Sequence, residues 1–302
     1  RRHMKRGGIL AGWCERDASS SSYQKVLTYE SFNHHHAGHY VIRPATASEK
    51  CSCVEFLAPS REAVLRPFWF VSHAWSGETV SEFVECLEIH AATRSLSKTT
   101  ASFWASVFCN NQQELGMELQ ADLLSCSFFR AIARVDGVLF LTGKDALATT
   151  RTWCCVEIYA ALMADTKRKA PLLLDIATVV AEGHLAAGRV ALLTDRLTRN
   201  EQEEETKMGR GFGWRQKAER EAAFPIEVMQ LALSTDVRNS SASFSLDRLR
   251  LLKAVVPIHR KHSDVELSLE SRDYDRVNSQ IRSAFAALGL GNALTRSSHD
   301  RS

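Results

Sequence analysis

Between Pro67 and Leu193 short apolar runs alternate with segments of helical periodicity, and no other feature of the sequence restricts the fold as strongly. Phe68-Trp-Phe-Val-Ser72 is a continuous apolar run closed by small and polar residues, the pattern of a strand buried on both faces. Val80 to Ala91 then places Phe83, Val84, Leu87 and Ala91 at helical spacing, with Glu82, Glu85 and Glu88 elsewhere on the surface. Phe103 to Phe108 reads as a second strand running into the polar loop Cys109 to Gln112, and Leu119 to Arg134 as a second helix. A strand Val138 to Thr142, a helix Trp153 to Met163 and strands Pro171 to Asp175 and Val190 to Leu193 complete the series. Strands alternating with helices at this spacing imply right-handed crossovers, so the expected fold is α/β, a parallel sheet with helices on both faces.

That sheet domain is expected over residues 66–198, between two different flanks. Residues 1–65 lack sustained periodicity and read as an N-terminal arm, partly disordered, with Val54 to Leu57 as an edge strand or packed arm. His34-His-His36 and His39 have no acid or cysteine partner at a fixed spacing, and an exposed loop is the expectation there. Residues 199–302 read as a helical extension. Its acidic run Asn200 to Glu205 suits a solvated helix face or linker, and Gly209 to Gly213 suits flexible backbone, because it follows charge rather than a strand. Helical patterns follow at Ala222 to Leu233, Leu246 to Val255 and Tyr274 to Leu288, and Thr295 to Ser302 should be loose.

Composition excludes several classes of function. The chain has 302 residues, 45% hydrophobic and 24% charged, with a formal net charge of +3. Such a charge is too small and dispersed for nucleic acid, and no apolar run approaches the roughly 20 residues of a membrane span. Eight cysteines, several inside apolar runs, behave as small hydrophobes, and Cys51-Ser-Cys53 lacks zinc-ribbon spacing, so no metal site is expected. Gly7 to Trp13 is too short and mixed for an apolar targeting core. A cytoplasmic protein without membrane or nucleic-acid partners is the expectation.

Thr152 to Met163 carries a single carboxylate, Glu157, in an otherwise uncharged helical segment. Trp153 lies four residues before it and therefore on the same face, with small Ala160 and Ala161 a turn beyond. An acid beside an aromatic ring with space around it suits a pocket. Ligands of such sheets collect at the carboxyl ends of the strands. Those ends supply Ser72, His73 and Trp75, then Asn110 and Asn111, then Thr142, all near the start of the Trp153 helix. Cys154, Ile158 and Leu162 share the spacing i, i+4, i+8 and should face the core, which argues against a thiol nucleophile.

Three blocks in this order, Phe70-Val-Ser-His73, Trp104 to Gln112 and Thr152-Trp-Cys-Cys-Val-Glu157-Ile, resemble the Toll/interleukin-1 receptor (TIR) family, in particular its divergent protist and microbial members. The resemblance covers roughly residues 66–195 and implies a five-stranded flavodoxin-like sheet. It also implies that Glu157 is the catalytic residue of an NAD-cleaving enzyme, with Trp153 as its aromatic neighbour and Asn110 to Gln112 opening the loop after the second strand. Two positions depart from the family pattern: Ser106 stands where an aspartate is common, and Gly143 to Leu147 lacks an aromatic.

Cleavage between nicotinamide and ribose passes through an oxocarbenium-like state. The leaving pyridinium is already cationic and departs neutral, so one ionised carboxylate could suffice, and the start of a helix should keep Glu157 ionised. NAD is then substrate rather than cofactor, with Trp75 or Trp153 stacking on its cationic ring and His73 as base or phosphate partner. The expected function is NAD hydrolysis to nicotinamide and an ADP-ribose product in signalling or defence, with self-association through the TIR-like domain. Two alternatives share the topology: a non-catalytic adaptor that self-associates, and a nucleoside deoxyribosyltransferase-like enzyme.

Overall fold

A computed structural model describes residues 14–16, 24–60, 66–97, 99, 101–114, 125–143, 145–166, 168–180, 189–256 and 268–299. Its centre is a five-stranded, mostly parallel sheet. The first described elements are a separate antiparallel pair, β1 (Cys14–Arg16) and β2 (Gln24–Val26). The main sheet contains β3 (Trp69–His73), β4 (Phe103–Trp104), β5 (Gly137–Leu141), β6 (Leu173–Val179) and β7 (Val190–Leu193) in the spatial order β4-β3-β5-β6-β7. The first four strands run parallel, whereas β7 is antiparallel to β6. Residues 180–189 are too few for a crossover of a dozen or more, so the chain can only turn back.

Every residue of β3 and β5 is buried, and alternation divides their side chains between two layers. Trp69, Val71, Leu139, Leu141, Ala177 and Val179 pack on one face against helix α3 (Val80–Thr93), which starts from a capping box between Thr79 and Glu82. Gly137 at the start of β5 is required by this layer, because a Cβ there would overlap the Trp69 indole. Phe70, Val138, Phe140, Leu174 and Ile176 face the other way, against α5 (Ser127–Ile132) and α6 (Thr152–Asp165). Ser72, two residues after Phe70, shares that face and is thereby aimed at α6.

α6 is apolar nearly all round because it is covered twice. The sheet lies on one side; on the other lie α10 (Ser245–Val255) and α11 (Arg272–His299). Tyr274, Val277, Ile281, Phe285 and Leu288 form the buried stripe of α11, and Phe285 reaches Phe140 of β5 at 5.5 Å between ring centroids. The C-terminal helices therefore share the core of the sheet.

Asp175 in β6 is fully buried and accepts from the His90 ring at 2.8 Å and from Arg94 Nε at 2.8 Å and Nη2 at 2.5 Å. These bonds hold its carboxyl below the usual range against the opposing effect of burial and tie α3 to the sheet.

Several expectations need correction. The second strand stops at Trp104, and Ser106–Cys109 turns into a short helix, α4. Residues 119–124 of the second helix lie outside the described residues, and its described part is α5. Cys53–Leu57 is a short helix, α2, rather than a strand. Ser52 caps it by accepting from the Glu55 amide. The histidine run is not an exposed loop but helix α1 (His34–Ala37), continued by a π-turn over Gly38–Ile42 and by Arg43–Ala45. His34 and His36 are buried in it, because His34 inserts edge-on between His73 and Phe83. The acidic run lies in α7 (Arg199–Met208), the glycines around 209–213 lead into α8 (Phe212–Glu221), and Ile226–Leu233 is α9. Glu205 organises the glycine turn by accepting from the amides of Gly211 and Gly213. The final helix runs on to His299, through residues expected to be loose.

Among the described residues, no helix is long and apolar enough to cross a membrane.

Candidate functional site

A cavity of about 850 Å³ opens at the carboxyl ends of β3 and β4, a size usual for small-molecule sites. Its floor contains Glu157 and Cys154 of α6, with His73, Ala74 and Trp75 from the loop after β3. Glu157 sits in the second turn of α6 and is 6% exposed. Its Oε2 accepts from the Ser72 hydroxyl at 2.6 Å, the contact that the alternation of β3 arranges.

Burial pushes the Glu157 carboxyl up to about 8, and the Ser72 hydrogen bond opposes that displacement only in part. The expectation that the helix start keeps Glu157 ionised is therefore corrected. The dipole field fades within the first turn, and Glu157 lies beyond it in an apolar layer. At neutral pH the acid form of Glu157 is therefore favoured.

The aromatic neighbours are held from behind. Trp153 stacks on Phe128 at 4.7 Å and donates its indole N–H to Asp247 of α10. Trp75 donates its indole N–H to the Ser106 hydroxyl at 2.9 Å and meets the His35 ring edge-on at 5.3 Å. Ser106 thus anchors an aromatic side chain. His73 is pushed down to about 4, first by burial and then by the charge of His35, against a hydrogen bond to Val71; its Nε2 has no partner among the described residues. The ring is neutral at physiological pH, which suits an acceptor rather than a cationic phosphate ligand.

Of the residues singled out in the sequence, Glu157, His73, Trp75 and Trp153 line the cavity, and Ser72 touches Glu157 from below. Asn110, Asn111 and Thr142 lie off its wall. Asn110 is buried, while Asn111 donates to the Lys50 carbonyl at 2.6 Å and so fastens the N-terminal segment. Thr142 is fully buried and donates to the Gly143 carbonyl at 3.1 Å. Gly143 must be glycine, since φ is +72° and a Cβ would stand 3.0 Å from the Gly77 carbonyl oxygen, where the loops after β3 and β5 meet. Cys154 is both core and floor, and burial raises its thiol well above the ordinary range, so it is no ready nucleophile.

The side walls come from segments that sequence reasoning left out of the site. α1 and its continuation contribute His35, His39 and Arg43, and the chain around α10 contributes Phe244, Asp247 and Arg250. Their spacings carried the signal: steps of four residues in the first set and three in the second put each on one helical face. Arg151, just before α6, completes the rim. It donates to the hydroxyls of Ser241 at 3.2 Å and Ser243 at 2.9 Å. The backbone seals the same junction, with the Thr152 amide donating to the Ser241 carbonyl at 2.9 Å and the Ser241 amide to the Thr150 carbonyl at 2.8 Å.

Among the described residues, no group of three or more His, Cys, Asp or Glu side chains converges as a metal ion would require. Comparison of the chain with protein-family models, curated proteins and solved structures found no match.

Proposed function

We propose that the chain is a TIR-like enzyme with a flavodoxin-like sheet that hydrolyses NAD to nicotinamide and an ADP-ribose product, in signalling or defence. One observation carries the reading: a lone buried carboxylate, Glu157, bonded to Ser72 at the floor of a cavity walled by Trp75 and Trp153. The strand order, second-first-third-fourth-fifth, agrees with flavodoxin-like sheets, apart from the reversal of β7.

The raised proton affinity of Glu157 gives this chemistry a sequence of events. The nicotinamide ring of NAD carries a positive charge, and an opposite charge placed beside a buried carboxyl favours ionisation. Substrate entry therefore expels the proton from Glu157 and creates the carboxylate where it is used. The bond from ribose C1′ to the ring nitrogen breaks, the electron pair leaves with neutral nicotinamide, and the carboxylate stabilises the oxocarbenium-like ribose. Water adds to C1′ and gives its proton to Glu157, whose affinity near pH 8 suits a base working at neutral pH. Ser72 orients the carboxylate throughout.

The test is to incubate purified protein with NAD at high and low protein concentration and measure free nicotinamide, beside a Glu157→Gln variant. Release by wild type and not by the variant is expected, and a steep dependence on protein concentration would follow from self-association of TIR-like domains. Absence of release from wild type at every concentration overturns the reading and leaves an adaptor. A second reading draws on the raised Glu157 pKa: an acid protonated at neutral pH could protonate a neutral leaving base, as deoxyribosyl transfer from a nucleoside requires. Base release from deoxynucleosides in the same assay would favour it.

A further inference from the structure

We infer that the outer half of the cavity is a nucleoside-diphosphate subsite, built by the N-terminal and C-terminal helices rather than by the sheet. The assignment rests on the reading of the cavity as a nucleotide site given above. Arg43, Arg151 and Arg250 converge on one opening from three separate segments of the chain. Against three guanidinium groups, the described residues lining the cavity include one acid besides Glu157: Asp247, whose carboxyl burial pushes up while Arg250 and the Trp153 indole oppose that displacement. Burial pushes the Glu157 carboxyl up to about 8, so it offsets little of this charge at neutral pH.

No carboxylate among the described residues pairs with Arg43 or Arg151. Arg151 is instead held by two serine hydroxyls, which set the direction of its guanidinium and leave its charge in place. Its field is felt within the cavity, where it helps to lower the His35 pKa after the larger effect of burial. A pair of excess positive charges on planar, multidentate donors matches a diphosphate better than a single carboxylate.

The rim also offers a surface for a base. Phe244 is 70% exposed, although it lines the cavity. A large apolar ring left in water beside a cationic opening suits stacking of a purine. The ligand would then run from Phe244 across the arginines, its distal ribose over Glu157.

Adenosine 5′-diphosphate is the probe, titrated calorimetrically into the full chain at low and at moderate salt, beside adenosine and inorganic pyrophosphate. The wild type should bind ADP at least tenfold more tightly than either fragment, and added salt should weaken ADP. The double variant Arg43→Ala/Arg250→Ala should lose tenfold or more of that affinity. Phe244→Ala, at an exposed position that folding does not need, should weaken ADP and adenosine but spare pyrophosphate. ADP affinity unchanged in both variants, or no ADP binding by wild type, overturns the subsite. If wild type cleaves NAD yet fails to bind ADP, the subsite falls and the activity stands. ADP binding without NAD cleavage retains the subsite and removes the activity. Circular dichroism and thermal unfolding of each variant separate lost affinity from lost fold.

Discussion

Replacing Glu157 with glutamine should stabilise the protein, and increasingly so as the pH rises. The folded chain holds the Glu157 proton to about pH 8, whereas an unfolded chain releases it near the ordinary value of 4.5. Below that lower value both states are protonated and the residue costs nothing. Between the two values the native state keeps a proton that the unfolded state has lost, so stability falls as pH rises, and above about 8 the full cost is present. At about 1.4 kcal/mol for each tenfold change in proton affinity, the displacement corresponds to about 5 kcal/mol. Glutamine retains the shape of the neutral acid and can still accept from Ser72, but it has no ionised form to desolvate. Urea unfolding of wild type and variant at about pH 5, 7 and 9 measures the difference. The gap should be under about 1 kcal/mol at the acid end and several kcal/mol at the alkaline end, a large share of a typical domain's stability. Glu78 is equally buried, with its carboxyl well above the ordinary range, and adds a slope of the same sign. Comparison with the variant removes it. Parallel curves for the two proteins, with no widening gap, would refute the argument that desolvation sets the Glu157 proton affinity.

Ser72→Ala removes the hydrogen bond that favours the carboxylate, worth about 1.5–3 kcal/mol for a bond to a charged group, so nicotinamide release near neutral pH should fall roughly tenfold and recover in part under alkaline conditions; an unchanged rate–pH profile would exclude this role. His34→Phe should raise stability, most clearly near pH 5. The His34 ring is fully buried with neither nitrogen bonded among the described residues, and burial holds its proton affinity well below the ordinary value of 6.5. The native state thus loses stability as pH falls below that value, and unfolding curves should show this loss reduced in the variant. Asp175→Asn leaves Arg94 and His90 buried without their carboxylate and should cost about 3–5 kcal/mol in urea unfolding, whereas a change under about 1 kcal/mol would show that the network contributes little.

The strands at 69–73, 137–141 and 190–193 and the α6 helix were legible because their signals are local. Apolar runs flanked by turns announce buried strands, and a helix with residues at i and i+4 shows its face without reference to anything else. The reversal of β7 was not legible, because a strand expected to end at Asp175 leaves fourteen residues for a crossover, and only the extension of β6 to Val179 closes that room. Residues 103–108 misled because Phe, Trp and Val favour strands in any setting; here the chain turns at Ser106, which anchors Trp75 while Gln112 donates to its carbonyl. The histidines of α1 read as a polar loop because imidazole counts as polar in composition, although its ring packs as an aromatic once neutral.

By itself, the sequence settled that the runs around residues 69–72, 138–141 and 190–193 are strands, and which residue is the lone acid of the Trp153 helix. These follow from periods of two and of about 3.6 residues, which need no partner to be read. Only tertiary structure decided that burial raises the proton affinity of Glu157, that Asn110, Asn111 and Thr142 stand away from the cavity, and that Arg43, Arg151, Phe244 and Arg250 surround it. Proton affinity depends on how much water and charge lie around a group, and a cavity wall on which distant segments dock. Both are properties of the assembled packing, set by contacts between residues as far apart as Arg43 and Arg250.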